Sequence, residues 1–180
     1  PTPSIGGVGL LDDFTKSASL AFKAEGEAIL LVGETHGWLG QSVYLRDICG
    51  REEGAPPPVD LAAEKRNGDC VRGMIHAGTA TAVHDLSDGG LLIALAEMAM
   101  AGGIGATVGA EPDDLPRHAF LFGEDQGRCV LAVSQDAAAD ILYEATAIGI
   151  PAALLGVTGG AALILPGDQA ISVETLKTAH

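Results

Sequence analysis

The stretch AVHDLSDGG, residues 82–90, runs straight into LLIALAEMA, residues 91–99, and its reading decides the fold. A short β-leaning run ends in polar residues, two glycines follow, and an Ala/Leu-rich helical run begins. Ser87 or Asp88 is placed to N-cap that helix by accepting bonds from the unpaired amides of its first turn. Gly89 and Gly90 let a backbone or a ligand come close, and the start of a helix carries partial positive charge. A strand–glycine–helix junction of this kind is a ready anion site, typically for phosphate. It is also a way to turn a chain tightly with nothing bound, and local physics puts the structural turn ahead of the anion.

Outward from this junction, strand 81–84 and helix 89–101 stop at Gly102 and Gly103, and 104–108 reads as another strand. Upstream, residues 5–11 (IGGVGLL) read as a strand, 12–27 as a polar loop and AILLV (28–32) as a buried strand. A second glycine-bearing polar loop, 33–42, leads into a helical run over 43–48. In that loop His36 lacks a partner at metal-ligand spacing and reads as a surface or capping group, and Trp38 reads as a packing anchor. Residues 54–58 form a stiff breaker cluster with three prolines. Asp60 then caps a helix whose inner face carries Val71, Met74 and Ile75, with Gly68 as a point of kinking. Downstream, 113–120 reads as a short helix or loop and 129–133 as a strand. Ser134 or Asp136 caps a helix with Ile141, Leu142, Ala145 and Ile148 inward. Strands 152–157 and 161–165 read as a hairpin through Thr158–Gly159–Gly160, and the tail as a last strand or a frayed end. Strands alternating with helices predict one α/β domain with a mixed sheet and helices packed on it, over 1–180: a leading strand and loop to 27, then the core over 28–180.

Composition narrows the function. A net charge of −14 on 180 residues disfavours nucleic acid and anionic membranes as partners. Any phosphate bound here needs backbone amides or a local cation. The three cysteines, Cys49, Cys70 and Cys129, fit neither a zinc cluster nor a disulfide framework and point to a reducing, cytoplasmic setting. No run is long enough to span a membrane.

Particular letters go further. HDLSDGGLLIALAEMAMAGGIGATV (84–108) resembles the C-terminal domain of the formylglycinamidine ribonucleotide synthase family, the ATP-dependent amidotransferases of purine biosynthesis. Four more pieces agree in order: PTPSIGGVGLL (1–11), AILLVGETHGWLGQSVYLRDI (28–48), VDLAAEKRNGDCVRGMI (59–75) and LFGEDQGRCVLAV (121–133). One departure stands out: Gln41–Ser42–Val43 occupies a place where family members often carry Gly–Ser–Glu.

The resemblance implies a three-layer domain of the aminoimidazole ribonucleotide synthetase-like type. It implies a parent C–N ligase that uses ATP and Mg2+, with ammonia supplied by a separate glutaminase subunit alongside a small bridging subunit. It also places the catalytic histidine, the magnesium carboxylates and the ATP-contacting residues in upstream domains, so no catalytic or metal residue is expected in this chain and by itself it should not turn over. The residues matched to shared motif positions, and so the candidates for an auxiliary ligand site, are Asp85, Ser87, Asp88, Gly89 and Gly90, with Glu124 and Arg128 opposite. The alternative role is a non-catalytic scaffold or auxiliary nucleotide-binding domain.

Overall fold

A computed structural model describes residues 6–109 and 114–180. In chain order the elements are β1 (Ala28–Val32), a π-helical turn (Tyr44–Ile48), α1 (Leu61–Ala77), β2 (Ala80–Asp85), α2 (Gly90–Gly102), β3 (Ala106–Val108), α3 (Arg117–Phe122), β4 (Cys129–Val133), α4 (Gln135–Ala147), β5 (Ala152–Thr158), β6 (Ala162–Ile164), β7 (Ile171–Ser172) and α5 (Val173–Ala179). One seven-stranded sheet runs β2-β4-β1-β5-β3-β6-β7. Every neighbouring pair is antiparallel except β3 and β6, which are parallel, so the sheet is mixed as the sequence predicts.

β1 is buried along its whole length because both faces of the sheet are covered. Ile29 and Leu31 point into a core shared with Leu91, Leu95 and Met98 of α2, Phe120 of α3 and Val173 of α5. Ala28, Leu30 and Val32 point the other way, into a second core with Val71 and Met74 of α1 and Ala138 and Ala145 of α4. The period-2 alternation of side chains thus feeds two cores, giving the helix–sheet–helix layering.

Local chemistry sets the helix ends. The Asp60 carboxylate accepts from the Ala62 and Ala63 amides at 2.9 and 3.0 Å, and those bonds hold it below the usual carboxylate range. The hydroxyl of Ser134 accepts from the Ala137 amide. α1 runs unbroken through Gly68.

The structure corrects several expectations. Residues 6–11 form no strand: Val8 and Leu10 are fully exposed, and the glycines around them have nothing to pack against; Ile5 lies outside the described residues. Residues 43–48 make a single π-helical turn, and the third strand starts only at Ala106. β5 and β6 are not a hairpin. β3 lies between them, and Gly105 bonds to Gly159 and Gly160 where the connection passes its end. Gly105 has no room for a side chain there, since a Cβ would sit 2.1 Å from the Ala162 carbonyl oxygen. Ile148 is exposed because α4 ends one residue earlier. The tail gives β7 and then α5, a helix that the sequence reading lacks. The loop before β1 is partly core: Phe22 is buried against α2, and Ser19 bridges to Ala82 on the outer edge of β2.

Leu30 is fully buried at the centre of the sheet, so Leu30→Ala should cost about 2–5 kcal/mol, read as a lower urea midpoint with an unchanged slope.

Candidate functional site

The end of β1, the end of β2 and the start of β4 lie together, since Val32 and Asp85 both pair with Cys129. All seven candidate residues lie at this end of the sheet: Asp85 ends β2, Gly90 begins α2 and the other five are in loops. Their roles differ sharply.

Arg128 is fully buried. Its Nε donates to the Asp125 carbonyl oxygen at 3.2 Å, Nη1 to Thr35 Oγ1 at 3.1 Å, and Nη2 to the Gly123 carbonyl oxygen at 2.7 Å. The Asp125 carboxylate stands 3.6 Å from Nη2. Burial pulls the guanidinium down from its ordinary value, and Asp125 opposes that shift. With its donors turned onto loop 123–125 and Thr35, Arg128 is a structural cation.

The two carboxylates beside it bind main chain. Asp125, itself buried, accepts from the Gly37 amide at 2.9 Å and the Trp38 amide at 3.1 Å. Glu124 Oε1 accepts from Val43 at 2.8 Å and from Gly89 at 2.9 Å, while the Glu124 amide donates to the Trp38 carbonyl oxygen. Two consecutive acids therefore clasp loop 33–43 and the head of α2. Sequence reading missed Asp125 altogether; the signal available was its place between Glu124 and Arg128 in a stretch bounded by glycines.

The glycine turn is dense with backbone. Gly89, with φ of 80°, is the residue at the N-cap of α2, and neither Ser87 nor Asp88 caps the helix. Both side chains are exposed, as is that of Asp85, while Gly89 and Gly90 are buried. A Cβ on Gly90 would lie 2.4 Å from the Gly123 carbonyl oxygen, and one on Gly123 would lie 2.8 Å from the Gly37 Cα. The close approach that the glycines permit is between backbones.

Nearby groups complete the picture. His84 Nε2 lies 2.7 Å from Glu97 Oε2, and its Nδ1 lies 3.3 Å from Asp85 Oδ1, which ties β2 to α2. His36 is exposed beside Glu34, and Trp38 donates its indole N–H to the Ala55 carbonyl oxygen at 2.8 Å, as an anchor should. Gln41 takes a left-handed backbone, with φ of 61°. A groove of about 710 Å³ lies between loop 34–38 and the start of α1, and none of residues 85–90 lines it. Among the described residues, no three His, Cys, Asp or Glu side chains are placed to share a metal ion. Among the described residues, no helix is long and apolar enough to cross a membrane.

Comparisons with known proteins agree on one family. The profile for "AIR synthase related protein, C-terminal domain" matches residues 24–164. A phosphoribosylformylglycinamidine synthase subunit PurL from Rhodopseudomonas palustris is 71% identical over 180 residues, all of this chain and 24% of the relative. The namesake from Bradyrhizobium diazoefficiens is 71% identical over 178 residues, again 24% of its length. The chain thus spans about a quarter of the curated relatives it matches. Among solved structures, Thermotoga maritima PurL complexed with FGAR superposes with a TM-score of 0.72 at 20% identity, covering 89% of this chain and 29% of that one. A thiamine-monophosphate kinase from Stenotrophomonas maltophilia shares the fold at a TM-score of 0.55 and 19% identity, over 85% of this chain and 54% of that one.

Asp125→Ala removes two hydrogen bonds to backbone amides and the carboxylate facing a buried guanidinium, so it should lower stability by about 3–5 kcal/mol in urea unfolding, and Asp125→Asn by less. Burial, helped by the nearby Asp85 charge, pushes the Cys129 thiol up to about 11, and burial also raises Cys70. At pH 8 a thiol reagent should therefore label exposed Cys49 fastest, half-buried Cys70 more slowly and Cys129 slowest of the three.

Proposed function

Because the chain belongs to the AIR synthase related C-terminal domain family, we propose that it is the C-terminal domain of a phosphoribosylformylglycinamidine synthase large subunit. The observation that carries this reading is the 71% identity to PurL along all 180 residues. The parent reaction converts formylglycinamide ribonucleotide to the amidine in de novo purine biosynthesis, in the cytoplasm. ATP, with Mg2+, activates the amide oxygen for displacement by ammonia. In support, Thermotoga maritima PurL has been solved with ATP, with ADP and with FGAR.

This chain's own part is to scaffold that enzyme. Its described residues do not fit a triphosphate–metal cradle: no acidic or histidine cluster is placed for a metal, and the donors of Arg128 are spent inside the protein. At the glycine turn Asp85, Ser87 and Asp88 are exposed, and we assign them to contacts with the other domains of the parent chain. Gly89, Gly90, Glu124 and Arg128 shape the turn beneath them. Partners are the other domains of the parent chain, with a glutaminase and a small bridging subunit; in support, the fold is shared with the PurLQS structure from Thermotoga maritima. Val8, Leu10, Leu11 and Phe14 stand exposed on one short segment, which suits a contact with those domains.

The test is turnover. The full-length protein, given formylglycinamide ribonucleotide, ATP, Mg2+ and ammonia, should release ADP and form the amidine, and the 180-residue chain alone should release none. An inert full-length protein would end the synthase reading. ADP release by the chain alone would end the scaffold reading.

A further inference from the structure

We propose that the carboxylate of Glu124 is a resident occupant of the anion position at the head of α2, and that it keeps phosphate-bearing ligands out of the glycine turn. This deepens the reading of the turn given above and rests on it. A strand–glycine–helix junction attracts anions because backbone N–H groups and the helix field point at one spot. Here that spot is already served. One oxygen of Glu124 takes the Gly89 amide at 2.9 Å and the Val43 amide at 2.8 Å, joining two segments that are far apart in sequence.

Three further observations make the occupant hard to displace. The Glu124 backbone is itself pinned, its amide donating to the Trp38 carbonyl oxygen at 2.8 Å, so the carboxylate is delivered from a fixed stem. An untethered phosphate has to compete with a group held in place by the chain, at a high effective concentration. The glycines are packed closely, a Cβ on Gly89 lying 2.5 Å from Ile93 Cγ1 and one on Gly90 2.4 Å from the Gly123 carbonyl oxygen, so no side chain can stand on the turn itself. Finally, two of the exposed rim residues, Asp85 and Asp88, are acids that repel an anion, with Arg46 the cation within electrostatic reach of Asp88. Glu124 is thus a specificity-determining residue, and what it determines is exclusion.

Removing the carboxylate should turn the junction back into an anion site. In thermal unfolding of this chain, Glu124→Ala should melt below the wild type and regain about 3 °C or more in formate or inorganic phosphate at roughly tenfold excess over the dissociation constant, relative to chloride at equal ionic strength. Glu124→Gln keeps an acceptor oxygen; it and the wild type should show no anion-specific shift. A wild type stabilised by phosphate as much as the alanine variant, or an alanine variant that responds no more than the wild type, would overturn the proposal. Should Glu124→Ala fail to fold, phosphate titration of the wild-type Gly89 and Val43 amide resonances decides it. Unmoved signals support exclusion, and saturating shifts at low millimolar phosphate refute it. Loss of the synthase reading would show separately, as absent turnover in the full-length protein whatever the anion response.

Discussion

The buried guanidinium of Arg128 organises the functional end of the sheet. A cation withdrawn from water costs several kcal/mol unless its donors are matched, and here they meet two carbonyl oxygens, a threonine hydroxyl and the nearby Asp125 carboxylate. Because Nε and Nη2 bind carbonyls only three and five residues upstream, the guanidinium fixes the shape of loop 123–128. That shape aims Asp125 at the Gly37 and Trp38 amides and Glu124 at those of Val43 and Gly89. Three connections that share no sequence neighbourhood are held by one buried charge and two carboxylates. A hydrophobic side chain of equal volume could fill the space, but it could not dictate the loop's path.

Much of this was legible in the sequence, and the limits have physical causes. AILLV announces a strand buried on both faces, and Asp60 and Ser134 announce helix starts, because those signals are local. The interleaving of β3 between β5 and β6 could not be read from Thr158–Gly159–Gly160, since a turn-forming triplet says nothing about which strand lies beside it. The cap of α2 misled for a similar reason. Ser87 and Asp88 are the right residue types in the right place, but Gly89 takes the cap position and its amide is held by Glu124, far along the chain, which only the fold brings there. Residues 6–11 have the letters of a strand, and no strand among the described residues pairs with them.

The glycine turn shows how one sequence signal carries two meanings. Glycines before a helix state that something comes close to the backbone, without naming it. Here the visitors are the backbones of residues 122 and 123 and the carboxylate of Glu124, so a junction with the outline of a ligand site serves as an internal joint. The fold shared with a thiamine-monophosphate kinase at 19% identity fits a framework whose chemistry is set by the loops at its sheet end.

The sheet order also governs how this domain comes into being. β1, the most deeply enclosed strand, finds its two neighbours at 129–133 and 152–158, so its hydrogen-bonding edges stay open until most of the chain exists. Until those residues are available the strand has no partner, and closure over so long a loop is slow. The apolar strand AILLV is therefore the segment most open to mispairing while it waits.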